Sequence, residues 1–275
     1  MNNNNRLFCA YKPSGISCNK FLYDIKKKYN VKKVGYSGTL DVFASGNLII
    51  AFGQYAKLFR FFKKSPKRYE AVLWLGAKSD SLDIERIESI DEFEPFDIGD
   101  IRKVAKSLIG ILKYVPPKFS AKKVNGKRAY ELARANKEVV LKEITTEVFS
   151  LDIKDYAHPF ITFEVNVSEG GYIRSIGKIL SEKLGVNGAL KSLERLNEGE
   201  FFYDDERELN PLDFLRIDEN FYLGDESDIL LGRKLKKTDF KFQDSKEYFV
   251  KIDKYLSVIK IDDEVEYLLN KIELC

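Results

Sequence analysis

The 275 residues are 44% hydrophobic and 32% charged at a net charge of +3, which suits one large folded domain, alone or with a small one, and excludes a disordered tail. No apolar run approaches the ~18 residues of a membrane span, and the opening MNNNNRLF lacks the charged-then-apolar order of a signal peptide, so a cytoplasmic protein is expected. Three widely spaced cysteines (Cys9, Cys18, Cys275) and a single histidine, His158, argue against a disulfide framework, a CxxC metal site and, unless His158 itself serves, a histidine-dependent triad.

In chain order, Arg6 to Tyr11 alternates like a strand, and Lys12-Pro13-Ser14-Gly15 reads as a turn. A helix is predicted after Ser17, with Phe21, Leu22, Ile25 and Tyr29 at helical spacing and Lys26 to Lys28 in its last turn, where the helix dipole favours cations. GYSGTLDVFASG, from Gly35 to Gly46, is an irregular glycine-framed loop before an apolar strand from Leu48 to Phe52. Ala56 to Phe62 is predicted as a short helix, Tyr69 to Gly76 as a strand buried on both faces, and Asp97 to Leu112 as a helix stopped by Pro116-Pro117. Arg128 to Ala135 and Tyr172 to Leu184 also read as helices, and 139–153 and 159–168 as β-rich. No regular βαβ rhythm appears, so an α+β fold is expected, with a mixed, mostly antiparallel sheet flanked by helices. Beyond an acidic stretch after Phe202, residues 224–275 look like a small β-rich appendage to a main domain of 1–223.

The bland net charge hides a segregation. Residues 1–80 hold 15 Lys/Arg against Asp24, Asp41, Glu70 and Asp80, a net of +11, and residues 110–142 carry a further net of +7. Two basic segments on an otherwise acidic chain suggest a surface for a polyanion, since phosphate neutralisation dominates nucleic-acid affinity.

Three spots could carry chemistry. Asp41 lies in the glycine-framed loop within the basic half; on local context alone it reads as a turn or capping residue, but a cationic groove would keep such a carboxylate low in pKa and ionised. Lys67-Arg68-Tyr69 joins cations to a strand-start aromatic, a pairing that suits an unstacked base. Arg174, in GGYIRS, would sit in the first turn of a helix, where a cation opposes the dipole unless a carboxylate or phosphate is near.

These segments together resemble the TruB-type bacterial tRNA pseudouridine synthases. The family's Lys-Pro-x-Gly turn, Gly-His-x-Gly-x-Leu-Asp-Pro-x-Ala-x-Gly loop, Lys-Arg-Tyr strand start, Pro-Pro-x-x-Ser-Ala-x-Lys stretch and Gly-Thr-Tyr-Ile-Arg segment read here, in order, KPSG, GYSGTLDVFASG, KRY, PPKFSAKKVNGKRAYELAR (116–134) and GGYIRS. The resemblance covers about residues 6–200 and implies a catalytic Asp41 acting on the ribose of a flipped uridine, uridine 55 of the tRNA T loop in standard numbering. It also implies a Tyr69 that stacks on the base, an Arg174 that pairs with Asp41, and no cofactor or metal. Tyr36 replaces the family's loop histidine and would either fill the space left by the flipped nucleotide by stacking or alter the target geometry, while Val42 replaces the proline after the aspartate. Lys122, Lys123, Lys127 and Arg128 would belong to an RNA-gripping segment over 118–142; Lys12, Lys67 and Arg68 complete the expected RNA-binding set, Lys12 and Lys67 by supporting the loop or backbone. The expected partner is the T arm of tRNA, with no membrane and no protein partner, the enzyme being monomeric. Residues 224–275 faintly resemble a PUA-type RNA-binding domain, and a degenerate appendage is the other reading. The substituted Tyr36 keeps open a non-catalytic tRNA-binding or RNA-folding protein on the same scaffold.

Overall fold

Leu7, Phe8, Cys9 and Ala10 are all buried, so the first strand, β1 (Arg6–Lys12), is covered on both faces. These and the following features come from a computed structural model that describes residues 5–120, 122–124, 126–135, 137 and 139–274, with the backbone alone at 123, 124, 127, 133 and 134. After the turn, Ser17 accepts the Lys20 N–H and opens α1 (Cys18–Tyr29). Asn30 closes it in the left-handed region at φ 50°, a common helix stop. β2 (Val34–Ser37) and β3 (Ser45–Phe52) flank the aspartate loop, and a 3-10 turn over Gly53–Phe61 occupies the place of the predicted short helix.

β4 (Lys67–Leu75) matches the predicted strand and begins two residues earlier; a short β5 (Ala77–Ser79) and β6 (Ile87–Ile90) hairpin follows. The helix predicted over 97–112 is shorter. α2 (Ile98–Lys106) is capped by Asp97, Ser107 closes it, and Gly110, at φ +107°, turns the chain into β7 (Gly110–Tyr114). Pairing with β10 (Ile144–Ala157) satisfies the β7 backbone better than continued helix, because the left-handed Gly110 has already broken the helical ladder. Between them lie β8 (Lys123–Val124), β9 (Lys127–Arg128) and α3 (Ala129–Arg134). β11 (Phe160–Val167), α4 (Ile173–Lys183), β12 (Gly188–Glu198) and β13 (Phe201–Phe202) complete the main unit.

Nine strands form the principal sheet in the order β1-β3-β12-β4-β11-β10-β7, with β2 on β3 and β13 on β12. Every pairing is antiparallel except the short contact of β12 with β3, so the fold is α+β with a mixed, mostly antiparallel sheet. On one face Ile176 and Leu180 of α4 pack on Leu73 and Leu190, all at 0% exposure, each contributing about 1.5–3 kcal/mol by burial. A Cβ on Gly177 would approach Leu190 Cδ2 to 2.9 Å, which shows how closely α4 lies on the sheet.

The other face buries Leu7, Ile49, Tyr55 and Phe61 together with Leu256, Val258 and Ile272. The last three belong to a small C-terminal sheet formed by β14 (Asp218–Glu219), β15 (Glu247–Ile252), β16 (Tyr255–Ile261) and β17 (Val265–Glu273), with α5 (Glu226–Leu230) beside it. This sheet has its own apolar cluster around Tyr248, Val250 and Ile259, and shares the second cluster with β1 and β3. No helix among the described residues is long and apolar enough to cross a membrane.

Candidate active site

Residues 38–44 connect β2 to β3, and the N-terminal turn braces them. Gly15 N–H donates to Val42 O (2.8 Å), Ser14 Oγ to Phe43 O (2.6 Å), and Cys18 Sγ sits 3.2 Å from Leu40 N and 3.3 Å from Leu40 O. Glycine is required at two positions of the loop, because β12 comes very close. A Cβ on Gly38 (φ +72°) would lie 2.7 Å from Glu198 Oε2, and one on Gly46 (φ +110°) would lie 2.3 Å from Arg195 O. The braced loop delivers Asp41 to a cavity of about 260 Å³ lined also by Tyr69, Gly171, Tyr172, Leu193 and Arg195. That volume is near the lower end of small-ligand sites, ~300 Å³.

Arg174 enters from the first turn of α4. Its unfavourable position at the helix N-terminus is offset by a full set of acceptors: Nε lies 2.9 Å from Asp41 Oδ2, one terminal nitrogen 3.1 Å from Asp83 Oδ2 and 2.8 Å from Ser81 O, and the other 2.9 Å from Phe119 O. Asp83 is itself fixed by Ser81 Oγ at 2.5 Å and by capping the Glu85 N–H. Tyr114 Oη accepts the Tyr172 N–H (2.9 Å) and so anchors the start of α4.

The electrostatics of Asp41 differ from the sequence expectation of a low pKa. Burial lifts it above the ordinary carboxylate value, Arg174 opposes that rise most strongly, the nearby Asp83 adds to it and Lys12 weakly opposes it. The side chain is 38% exposed but lines a concave pocket and lies against the buried Arg174, where loss of hydration raises it. Raised basicity suits a carboxylate that must attack carbon or take a proton.

Tyr69 is 7% exposed on β4, directly opposite Arg195 of β12, and burial raises its phenol against the lowering influence of the Arg195 guanidinium, so it stays protonated at neutral pH. Arg195 also donates from Nε to Asn47 O (2.9 Å) and from a terminal nitrogen to Gly38 O (2.8 Å), and pairs with Glu198 at 2.9 Å.

The residues expected to touch RNA divide into two groups. Lys12 is 0% exposed and donates to Pro13 O and Ile16 O, 2.9 Å each; Lys67 lies inward, 2.7 Å from Glu198 Oε2. Lys12 thus braces the N-terminal turn from inside the fold, and Lys67 pairs with Glu198 while lining the same cavity as Asp41 and Tyr69. Arg68 is exposed and held in a fork by Glu164 (2.6 and 2.8 Å). Tyr36 is half-buried on β2, its hydroxyl 3.3 Å from Asn19 Oδ1, and burial raises its phenol, with Arg128 weakly opposing. Lys122 is half-buried and Arg128 exposed; the side chains of Lys123 and Lys127 lie outside the described residues.

Sequence reasoning missed Asp83, Arg195 and Glu198. Asp83 carries only the signature of a helix cap, and Arg195 and Glu198 stand in LKSLERLNEGE, which reads as a charged surface strand.

The sheet topology recurs in a solved structure titled "Crystal Structure of a Cbf5-Nop10-Gar1 Complex", with a TM-score of 0.66 over 98% of this chain and 84% of that one; at 16% identity this shows the fold alone. Residues 26–173 match the model of the TruB family pseudouridylate synthase (N terminal domain), so the buried carboxylate site belongs to an enzyme of the pseudouridylate synthase class. A relative in Campylobacter curvus, called tRNA pseudouridine synthase B, is 50% identical over 98% of this chain and 100% of its own length; one of the same name in Nitratiruptor sp. is 50% identical over 98% of each. The chain belongs to the TruB family.

Proposed function

We propose that this enzyme converts one uridine of the tRNA T loop, uridine 55 in standard numbering, to pseudouridine, with Asp41 acting on the ribose. Action on tRNA follows from full-length relatives at about half identity that carry that name. The single observation that supports the mechanism best is the 2.9 Å pair of Asp41 with Arg174 at the floor of a cavity that Tyr69 also lines.

The target base lies within a folded loop and is extruded before reaction, the basic segments gripping the arm by shape and phosphates. The base stacks on Tyr69. The N1–C1′ bond then breaks with its electron pair going to N1, while Asp41 either bonds to C1′ or takes the C2′ proton. The uracil turns within the pocket and C5 bonds to C1′, displacing Asp41 from C1′ in the first case, or with Asp41 returning its proton to C2′ in the second; the C5 proton then leaves as N1 is protonated. The atoms balance without a co-reactant. Arg174 aims the carboxylate, the dry pocket keeps the freed uracil from escaping, and Tyr69 stands at the ring where the C5 proton is lost.

The test is carbodiimide mapping of a tRNA transcript after incubation with the enzyme. A signal at position 55, absent when that uridine is replaced by cytidine, is expected. Conversion elsewhere would overturn the site assignment, and binding without conversion would favour the binder-only reading.

A further inference from the structure

Beneath Tyr69 lies an ion cluster that the reaction scheme does not use. Lys67 and Tyr69 are two apart on β4 and share a face; opposite them on β12 stand Glu198 and Arg195, paired Lys67 with Glu198 and Tyr69 with Arg195. Residues three apart on a regular strand point to opposite faces, yet both Arg195 and Glu198 point here. The reason is a β-bulge between Arg195 and Asn197, one inserted residue that returns Glu198 to the side of Arg195. Glu198 is 0% exposed, with Lys67 at 2.7 Å and Arg195 at 2.9 Å, and the loop glycines Gly38 and Gly46 leave the room the cluster needs. A bulge, two glycines and a fully buried carboxylate are a costly arrangement unless they fix something.

We propose that Glu198 is a positioning residue for Tyr69: by sharing its charge between Lys67 and Arg195 it holds the Arg195 guanidinium against the tyrosine oxygen, so that the Tyr69 proton points into the pocket. The proposal rests on the reading of Tyr69 given above. The cluster carries a net charge of one positive unit: two cations and one anion. Glu198→Gln would leave two uncompensated cations beside the phenol and favour the phenolate, in line with the raising influence of Glu198 and the lowering influence of Arg195 on Tyr69. Lys67→Met together with Glu198→Gln restores the single positive charge.

The test combines single-turnover conversion at saturating tRNA with the 13Cζ resonance of Tyr69, assigned by its loss in Tyr69→Phe. Glu198→Gln is expected to slow conversion on the order of a hundredfold with unchanged RNA affinity and, followed through an alkaline titration, to move the Tyr69 resonance toward the phenolate position at lower pH than in the wild type. The Lys67→Met/Glu198→Gln pair is expected to regain most of both. An unmoved resonance in Glu198→Gln overturns the proposal, as does a double variant no better than the single one, which would mark a merely structural role. If Glu198→Gln does not fold, the folded double variant with a wild-type resonance supports the proposal, and one with a displaced resonance overturns it. A Tyr69→Phe enzyme with full activity would instead refute the role of Tyr69 while leaving the resonance to judge Glu198.

Discussion

Asp83→Asn separates the two tasks of the arginine in the pocket. Arg174 and Asp83 are each 3% exposed in their side chains and 3.1 Å apart, and the same guanidinium reaches Asp41 at 2.9 Å. Removing one partner of a buried pair costs about 3–5 kcal/mol; asparagine keeps the shape and much of the hydrogen bonding, so about 3 kcal/mol is expected. At roughly 2–4 °C per kcal/mol for a chain of this size, thermal melting should fall by about 6 °C or more.

The acid limb should move in the other sense. Asp83 helps to raise the pKa of Asp41, so its loss lowers that pKa, and conversion should persist to lower pH than in the wild type, whose limb lies above the ordinary carboxylate value of about 3.9. For stability the sign also follows. A carboxylate raised on folding binds its proton more tightly in the native state, so its unfavourable contribution is full above the native pKa and is relieved as pH falls toward the unfolded value. Calorimetry and single-turnover rates between pH 4 and pH 8, on the order of the window this principle defines, read both effects. An Asp83→Asn enzyme that melts with the wild type and keeps its acid limb would refute the reasoning.

Gly46→Ala should be severely destabilised, by more than about 4 kcal/mol, because its Cβ would meet the Arg195 backbone; Gly15→Ala, with open space around it, should lose only about 1–2 kcal/mol from its left-handed conformation. Denaturant unfolding of the two compares them directly. Lys12→Met should lower the melting temperature and leave the salt dependence of tRNA binding unchanged, whereas Lys122→Ala should flatten that dependence by just under about one unit of log–log slope for each phosphate the lysine neutralises. Filter binding across a salt series reads the difference.

The loop around Asp41 was legible as an irregular glycine-framed loop, but locally Asp41 reads as a turn or cap, and only the basic context and the family motif single it out; Arg174 was legible because a cation at a helix start calls for an anion. The strands β4 and β11 were legible from their apolar residues. What remained hidden depends on register. Asp83 follows a turn more than forty residues beyond Asp41, and only the packing of α4 brings the two to one guanidinium. Arg195 and Glu198 share a face only through a bulge, and without it the alternation of β12 assigns them to opposite sides. The partner of Lys67 depends on register too, since Glu198 is turned toward it by that bulge. The over-long helix at 97–112 came from apolar spacing that β7 satisfies equally well once Gly110 has turned the chain.

The proposed mechanism turns on one carboxylate, Asp41, acting on the ribose, with Arg174 aiming it and Tyr69 at the base. Its most direct test is single-turnover conversion of a tRNA transcript by Asp41→Asn, with binding measured on the same preparation. Loss of detectable pseudouridine with tRNA affinity retained is the expected result; product formed at the wild-type rate would contradict it.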